Sequence, residues 1–391
     1  MQGRFQMPLP RSRRRAARVL YLGVCRACYV LFASCITMAG PLIAWLLRDR
    51  ARPSSALHVS YMVHIPYHTT RILRRYGWTA DYLAIGESPT WREADYVHVP
   101  RWHPLLAMRE LVLFWNVVSR YRVVHLHFMI TMSRSGWELP ILRRMGRTIV
   151  AHFRGCEIRD RARIMTMWPD VNICQQCDYA AKICTSRINK WRRRLARRWA
   201  SVTLVTTPDM LAFVPEAIYF PFFSPESLPA QADPRRGGGK RWRIVHATNH
   251  PGIEGTERIR GAVDRLAAKG YPIEFVFLQG APHDEVLRVF AGADIAIGKM
   301  KMGYYANAQI ESMALGIPTI TYVRPEFMTE ELRCSGFIFS HLDDLEETLE
   351  RLLRHPEELD AKRRIARESI LRLHDNDMLA RRLIALYEGR V

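Results

Sequence analysis

The feature that most constrains the fold is a regular alternation of short β-branched or apolar runs with amphipathic helical stretches, which begins at Ala56. Such alternation is typical of βαβ units, in which helices join the neighbouring strands of a parallel sheet. A first series predicts strands over 56–63, 81–85, 123–128, 148–153 and 202–206 and helices over 69–76, 105–119 and 137–145. A second series predicts strands over 244–247, 273–278, 294–297 and 318–323 and helices over 256–269, 284–291 and 306–315.

The two series are separated by residues 222–240, which are rich in Pro, Gly and Ser and indicate a linker. We therefore expect an α/β protein with two Rossmann-like doubly wound domains, over 53–221 and 241–370. Residues 1–52 form a basic N-terminus with an apolar segment, and 371–391 are expected to form a helix that packs back on the first domain. Ligands of such sheets bind beyond the carboxyl ends of the strands, which here face the cleft between the domains.

The segment before the first domain contains 21 consecutive residues without a charged side chain, 27–47, after the basic run RSRRRAAR. At about 1.5 Å per residue this length crosses a bilayer. The short apolar centre and cleavage site of a signal peptide are not evident, so an uncleaved membrane anchor is predicted. Gly40-Pro41 also permits a kinked or hairpin segment in one leaflet, and a buried core helix is the remaining alternative.

The net positive charge of the chain comes from its first half. Residues 1–200 contain 34 Lys and Arg against 11 Asp and Glu, whereas the remainder contains 24 against 27, so one part is expected to face an anionic partner. The most basic stretch is 189–200, NKWRRRLARRWA, in which Trp191, Leu195 and Trp199 recur at four-residue spacing.

We interpret this stretch as an interfacial helix on an anionic membrane surface; the alternative is an ordinary amphipathic helix with its apolar stripe in the core. No motif for reading nucleic acid is visible, so nucleic acid is not an expected partner. The cations assigned to the membrane surface are Lys190, Arg192, Arg193, Arg194, Arg197 and Arg198.

The most specific motif is YYANAQIESMALGIPTITY, residues 304–322. Residues 306–310 are predicted to open a helix whose free N–H groups point into the cleft and suit an anion, while the carboxylate of Glu311 can accept from a diol. A Glu on an ordinary amphipathic helix is the alternative. The motif resembles the G-x-x-I/L-E-A-M-A-x-G-x-P-x-I segment of retaining GT-B glycosyltransferases of the sucrose-synthase and mannosyltransferase-like family.

This resemblance covers residues 56–391 and implies that the second domain binds a nucleotide-sugar donor. It implies that Glu311 takes the ribose hydroxyls and that the backbone near Tyr305 and Ala308 approaches the diphosphate. The family's earlier Glu, eight positions before, is replaced here by Gly303. That change weakens a catalytic assignment without removing donor binding.

Residues 246–266, HATNHPGIEGTERIRGAVDRL, resemble the family's strand, loop and Lys-Gly-Thr helix start, which implies that Gly255 and Thr256 lie at the donor. Glu254 stands where the family often has a diphosphate-binding Lys, and a carboxylate there repels a diphosphate unless it turns away. The nearby cations that can replace the missing Lys are Lys299 and Lys301; a solvated surface is the alternative for both.

In the first domain, VVHLHF followed by TIVAHFRGCEIRD resembles the family's strand and H-F-H-G-x-D-x-R turn. We assign His152, Arg154 and Glu157 to catalysis, because a polar cluster at a strand end faces the cleft. Arg154 can bind an acceptor phosphate or stabilise the departing diphosphate, but it cannot act as a general base. The alternative is a buried ion pair of Glu157 with Arg154 or Arg159.

Four of the eight cysteines fall within 29 positions of the first domain: Cys156, Cys174, Cys177 and Cys184. We predict that they bind one structural zinc ion, although C-x2-C followed by a cysteine seven positions later is not a standard pattern. The alternative is four unrelated thiols.

The sequence thus predicts a membrane-associated glycosyltransferase, with cytoplasmic catalytic domains, that moves a sugar from a nucleotide donor to a glycan or lipid-linked acceptor. The resemblance implies retention of configuration and no metal or other cofactor in catalysis. A sugar-nucleotide epimerase of the same fold, or a catalytically silent binding protein, are the alternatives.

Overall fold

A computed structural model describes residues 11–179, 184, 187–229 and 241–390. It contains two parallel sheets with interleaved helices, which confirms the predicted α/β class with two doubly wound domains. The predicted linker 222–240 is described only as far as residue 229, and its remainder lies outside the described residues.

The first sheet has seven strands in the order β3-β2-β1-β4-β5-β6-β7, and all neighbouring strands are parallel. Its strands are β1 (Arg52–Tyr61), β2 (Thr79–Ile85), β3 (Tyr96–His98), β4 (Tyr121–His127), β5 (Thr148–Phe153), β6 (Val202–Val205) and β7 (Ile218–Tyr219). The helices of this half are α1 (Arg11–Met38), α2 (Gly40–Leu47), α3 (His64–Arg75), α4 (Leu106–Asn116), α5 (Glu138–Arg144), α6 (Arg161–Met167) and α7 (Arg187–Trp199).

The second sheet has five parallel strands in the order β12-β11-β10-β8-β9. Its strands are β8 (Trp242–Thr248), β9 (Ile273–Gln279), β10 (Ile295–Ile297), β11 (Thr319–Thr321) and β12 (Phe337–Phe339). The helices are α8 (Pro251–Glu254), α9 (Thr256–Ala268), α10 (His283–Ala291), α11 (Asn307–Ala314), α12 (Glu330–Arg333), α13 (Leu345–Arg354), α14 (Pro356–Leu373) and α15 (Asn376–Tyr387).

Each face of the first sheet has its own core, because successive side chains of a strand point to opposite faces. On β4, Val124 and Leu126 pack into the core that α4 and α5 cover. Val123 packs on the opposite face with Leu383 and Tyr387 of α15, which returns from the second domain. The last helix of the chain therefore completes a core of the first domain.

The apolar N-terminal segment forms two helices rather than one, broken at Ala39, since Pro41 lies in the first turn of α2. Residues Ala17–Met38 of α1 are long and apolar enough to cross a membrane, and 22% of the most apolar 18-residue window is buried. From Cys25 onward α1 buries one face against the first domain, and α2 does the same. The buried residues are Cys25, Tyr29, Ala33 and Ile36 of α1 and Ile43, Ala44 and Leu47 of α2.

Candidate functional site

A cavity of about 460 Å³ lies between the two domains. It is lined by residues that follow the carboxyl ends of strands in both sheets, including Val63 after β1, Arg154 after β5 and Lys299 after β10. A second cavity of about 400 Å³ adjoins it and shares His64, His283 and Glu311 among its lining residues. These cavities therefore lie where the doubly wound topology predicts a ligand site.

The start of α11 forms one wall of this cavity. Ala306, Asn307 and Ala308 line it at the end of the helix where backbone N–H groups have no helical partner. Glu311 follows one turn further and lines the same cavity, although its side chain is only 9% exposed. The structure thus brings Ala308 and Glu311 together as the sequence predicts.

Two histidines contact the same carboxylate oxygen of Glu311. Oε1 lies 2.9 Å from Nε2 of His283 and 3.5 Å from Nε2 of His64, which belongs to the other domain. Burial opposes ionisation of Glu311, but the hydrogen bonds from both imidazoles outweigh it and lower the pKa of this carboxyl to about 2. Glu311 is therefore ionised, and among the described residues Oε2 has no hydrogen-bond partner.

The two lysines predicted at the donor differ in whether they line the cavity. Lys299 lines the cavity, where it forms an ion pair with Glu254, so the carboxylate that replaces the family's Lys is itself neutralised. Lys301 does not line the cavity: it is 2% exposed, and its ammonium donates to the carbonyl of Gly252 (3.0 Å).

Three further predicted donor residues lie in the second domain behind the cavity wall. Thr256 hydrogen-bonds His246 beneath the cavity (2.8 Å). Gly255 has φ +87°, and a Cβ there would lie 3.2 Å from the side chain of Lys301. A glycine at this position therefore lets the backbone adopt the left-handed conformation and the Lys301 side chain pack against it. Tyr305 is buried and bonded to His374 (3.0 Å), which corrects its assignment as a residue that lines the donor site.

Arg154 faces the cavity from the first domain without a carboxylate partner. Its Nε donates to Nδ1 of His127 (2.8 Å), whereas its buried Nη1 has no hydrogen-bond partner in the part of the chain that the structure describes. Burial lowers the pKa of this guanidinium to about 9, because the nearby carboxylate of Glu157, which acts in the opposite direction, offsets only part of the effect and leaves the cation short of counter-charge. An anion in the cavity would supply that charge.

The alternative considered for Glu157, a buried ion pair with Arg154 or Arg159, is not formed among the described residues. Arg159 instead forms a bidentate pair with Asp209 (2.7 and 3.1 Å). Glu157 accepts hydrogen bonds from the backbone N–H groups of Arg154 and Gly155, so it shapes the turn after β5 and does not line the cavity.

Four buried histidines and a tyrosine support Arg154 from behind. His58 lies on β1, His125 and His127 on β4, and His152 on β5; all four are at most 1% exposed. Burial, as the largest cause, lowers the pKa of each, so all four are neutral. His152, assigned to catalysis from the sequence, lies in this cluster and does not line the cavity.

The direction of every hydrogen bond in this cluster follows from Arg154, which can only donate. His127 must accept at Nδ1, so its Nε2–H donates to Nδ1 of His58 (2.9 Å). His58 then donates to the hydroxyl of Tyr387 (3.2 Å), and that hydroxyl donates to Nδ1 of His125 (2.7 Å).

The chain of donors continues from His125 to Nδ1 of His152 (3.0 Å) and from His152 to Thr206 (3.1 Å). Thr206 closes the chain by donating to the carbonyl of Phe153 (3.1 Å). All four imidazoles therefore carry their proton on Nε2, and Tyr387 of α15 joins the two halves. We name these five side chains the histidine relay: His58, His125, His127, His152 and Tyr387.

The four cysteines of the predicted zinc site lie in one region of the molecule. Cys174 is buried in an apolar cluster on which Cys156 and Cys177 pack. Burial, above all, raises the pKa of Cys156 to about 12 and of Cys174 to about 11. Among the described residues, no three of the Sγ atoms lie within 4.8 Å of one another, so the zinc site stays a prediction.

The basic helix α7 places its apolar stripe differently from the preferred interpretation. Leu195 and Trp199 pack against the core of the first domain, as the alternative proposed, because α7 lies beside α5. Arg192 hydrogen-bonds Tyr61 (2.9 Å), and Arg193 hydrogen-bonds the carbonyl of Ile158 (3.3 Å). The exposed cations of the predicted set are Lys190, Arg194, Arg197 and Arg198.

Comparison with known proteins identifies the fold of the chain but not a family to which it belongs. The chain matches no family model and no curated protein. Sucrose-phosphate synthase from Thermosynechococcus elongatus superimposes with a TM-score of 0.56 at 13% identity, over 86% of this chain and 98% of that one. The chain has the GT-B fold.

Two further structures agree with this assignment. The catalytic domain of starch synthase IV from Arabidopsis thaliana, bound to ADP and acarbose, matches with a TM-score of 0.58 at 10% identity, over 86% of this chain and 99% of that one. HepE from Anabaena, in complex with UDP and glucose, matches with 0.57 at 10% identity, over 85% and 99%. At these identities the likeness establishes the GT-B fold alone.

Proposed function

We propose that this GT-B protein is a glycosyltransferase that moves a sugar from a nucleotide donor to a membrane-associated glycan acceptor. The observation that carries the proposal is the pair of facing walls of the interdomain cavity. One wall presents the N-terminus of α11 and Glu311, and the other presents Arg154 with an unpartnered nitrogen. A nucleoside diphosphate has the two chemical features that these walls complement, a diol and an anionic diphosphate.

On the donor side, the free N–H groups at the start of α11 can bind phosphate oxygens, to which the helix dipole adds favourable electrostatics. Oε2 of Glu311 has no other partner and can accept from the ribose diol while His283 and His64 hold Oε1. ADP and UDP are bound by two of the proteins that share this fold.

As the bond between sugar and diphosphate breaks, negative charge grows on the leaving group. A fixed guanidinium that needs no reorganisation stabilises such charge effectively, and the histidine relay fixes Arg154. The two carboxylates that line the cavity are engaged, Glu254 by Lys299 and Glu311 by histidines. We therefore propose that the donor's own phosphate takes the acceptor proton and that configuration is retained, without a catalytic metal.

Incubation of purified protein with a panel of nucleotide sugars tests the proposal. Release of nucleoside diphosphate together with a glycosylated acceptor, whose anomer is read by NMR, supports retaining transfer. Conversion of the sugar without transfer indicates an epimerase. Binding without turnover, in the presence of cell-envelope glycan and lipid acceptors, indicates a silent binding protein.

The variant Glu311→Gln is expected to weaken nucleoside diphosphate binding by about 1.5–3 kcal/mol, the usual contribution of a charge-assisted hydrogen bond. Isothermal titration calorimetry with UDP and ADP, in the presence of a chelator, measures the effect. Glu347→Gln is the matched control, because Glu347 is exposed on α13. Equal affinities of the two variants would contradict the assignment.

We further propose that the protein docks on the cytoplasmic face of a membrane through α1 and α2, which lie along the surface instead of crossing it. A perpendicular span would withdraw the buried faces of both helices from the first domain, including the hydrogen bond between Tyr29 and Glu110 (2.9 Å). Their opposite faces expose large apolar side chains, which suit the boundary between headgroups and acyl chains. The exposed set is Val19, Leu20, Tyr21, Val24, Val30, Leu31, Met38, Leu42, Trp45 and Leu46.

The double variant Leu31→Asp/Leu42→Asp is expected to lower the affinity for anionic vesicles about a hundredfold. Withdrawal of two leucines from the acyl boundary costs about 3 kcal/mol, and the new charges oppose the headgroups. Vesicle sedimentation measures binding, with Ile365→Asp/Met378→Asp as a control of equal charge on the C-terminal helices, where both residues are exposed. A similar loss in both double variants would contradict the proposal.

A further inference from the structure

We propose that His64, His283 and Glu311 bind one divalent transition-metal ion, of which Zn²⁺ is the best match, and that this ion joins the two domains across the cleft. His64 is the first residue of α3 in the first domain. His283 is the first residue of α10 and Glu311 lies within α11, both in the second domain. The site shares Glu311 with the proposed donor site, but its test does not depend on donor binding, because the probe is the metal alone.

Two of the three separations between the ligand atoms are already those that a metal centre requires. Ligands bound to zinc at 2.0–2.2 Å lie roughly 2.8–3.6 Å from one another, depending on the coordination geometry. Oε1 of Glu311 lies 2.9 Å from Nε2 of His283 and 3.5 Å from Nε2 of His64. All three ligand atoms lie within 4.8 Å of one another, so small side-chain rotations are enough to place an ion between them.

Hydrogen bonds alone leave part of this arrangement unused. The rings of His64 and His283 are stacked with centroids 4.2 Å apart and an interplanar angle of 13°. As neutral imidazoles both rings can donate an Nε2–H to Oε1 of Glu311, but Oε2 then has no hydrogen-bond partner among the described residues. A metal ion binds both imidazoles in their neutral form and supplies the positive charge itself.

A comparison within the molecule supports this distinction. His58, His125 and His127 satisfy the same distance criterion. In the histidine relay, however, each ring nitrogen of these residues already has a partner in one consistent direction, and the rings are sealed from solvent. His64 and His283 instead have side chains that are 24% and 16% exposed and line both cavities, so an ion can enter.

Two imidazoles and one carboxylate favour Zn²⁺ over Mg²⁺ or Ca²⁺, which prefer ligand shells of oxygen atoms. Three protein ligands leave at least one coordination position open toward the cavities, as in metal sites that bind an exogenous ligand. Because the ligands come from both domains, the bound ion is expected to hold the cleft closed.

Titration of the full chain with Zn²⁺ by calorimetry, and with Co²⁺ by absorption spectroscopy, tests the site. We expect one equivalent that binds without the sulfur-to-metal charge-transfer band that cysteine ligands produce. His64→Ala and His283→Ala should each weaken this equivalent by more than about a hundredfold, since loss of residues that merely support a ligand already costs 10–100-fold. His68→Ala is the matched control, because His68 lies beside His64 (ring centroids 5.9 Å apart) but is not one of the ligands.

Three results would overturn the proposal. The first is no saturable binding of either ion to the folded chain. The second is binding accompanied only by the thiolate band, which would place the metal at the cysteines. The third is equal affinity of the His64→Ala and His68→Ala variants, each shown to be folded by circular dichroism.

Discussion

Arg154→Met is expected to weaken nucleoside diphosphate binding by about 2–5 kcal/mol, the usual cost of removing one partner of a buried charge pair. The guanidinium lines the cavity, and its buried Nη1 has no hydrogen-bond partner among the residues that the structure describes, so a bound diphosphate would supply counter-charge there. Calorimetry with UDP and ADP measures the loss. The expected effect exceeds that of Glu311→Gln, because a whole charge is lost and not a single hydrogen bond.

Arg163→Met is the matched control for this prediction. Arg163 belongs to the same domain and, like Arg154, lies over a phenylalanine ring, but it is on α6 and does not line the cavity. Arg154→Lys separates charge from shape, since Lys keeps the charge but loses the planar fork. Wild-type affinity in Arg154→Met would refute the proposed diphosphate site.

Tyr387→Phe is expected to lower the free energy of unfolding of the first domain by about 2–5 kcal/mol. The hydroxyl joins His58 to His125 in the histidine relay, and its removal leaves His58 without an acceptor and His125 without a donor. Each buried, unsatisfied polar group costs about 1–3 kcal/mol. Urea denaturation measures the change in stability.

Tyr76→Phe provides the comparison, because Tyr76 bonds Asp377 of the same helix α15 at an exposed position. Its stability is expected to stay within about 0.5 kcal/mol of the parent chain. Long-range ¹H–¹⁵N NMR adds a direct readout: the four relay histidines should all be Nε2–H tautomers in the parent chain. An Nδ1–H tautomer at His127, or equal stability of both variants, would contradict the relay.

The sequence predicts the fold well where the pattern is periodic. The long central strands β1, β4, β5 and β8 lie within a few residues of their expected bounds, because buried parallel strands are nearly continuous apolar runs. The strands β3, β7 and β12 were not predicted. They contain two or three residues each and pair at sheet edges, so tertiary pairing and not local pattern defines them.

The candidate site was predictable in part. Glu311 and Arg154 lie within recognisable motifs, and the structure places both at the cleft. His64 and His283 lie in no motif, since each is an isolated histidine that meets its partners only when the two domains come together. For the relay, the alternation of His125 and His127 on β4 was a usable signal, because residues two apart share a strand face. Its partner Tyr387 lies 262 positions from His125, beyond any local pattern.

The return of α15 to the first domain also bears on how the chain folds during synthesis. The first domain cannot close its second core, or complete the donor chain behind Arg154, until residue 387 has left the ribosome. The second domain, in contrast, has its own cores and can fold while α15 is still being made. We therefore expect nascent chains that stop before Asn376 to hold a folded second domain beside an incomplete first one, reversing the usual order in which N-terminal domains fold first.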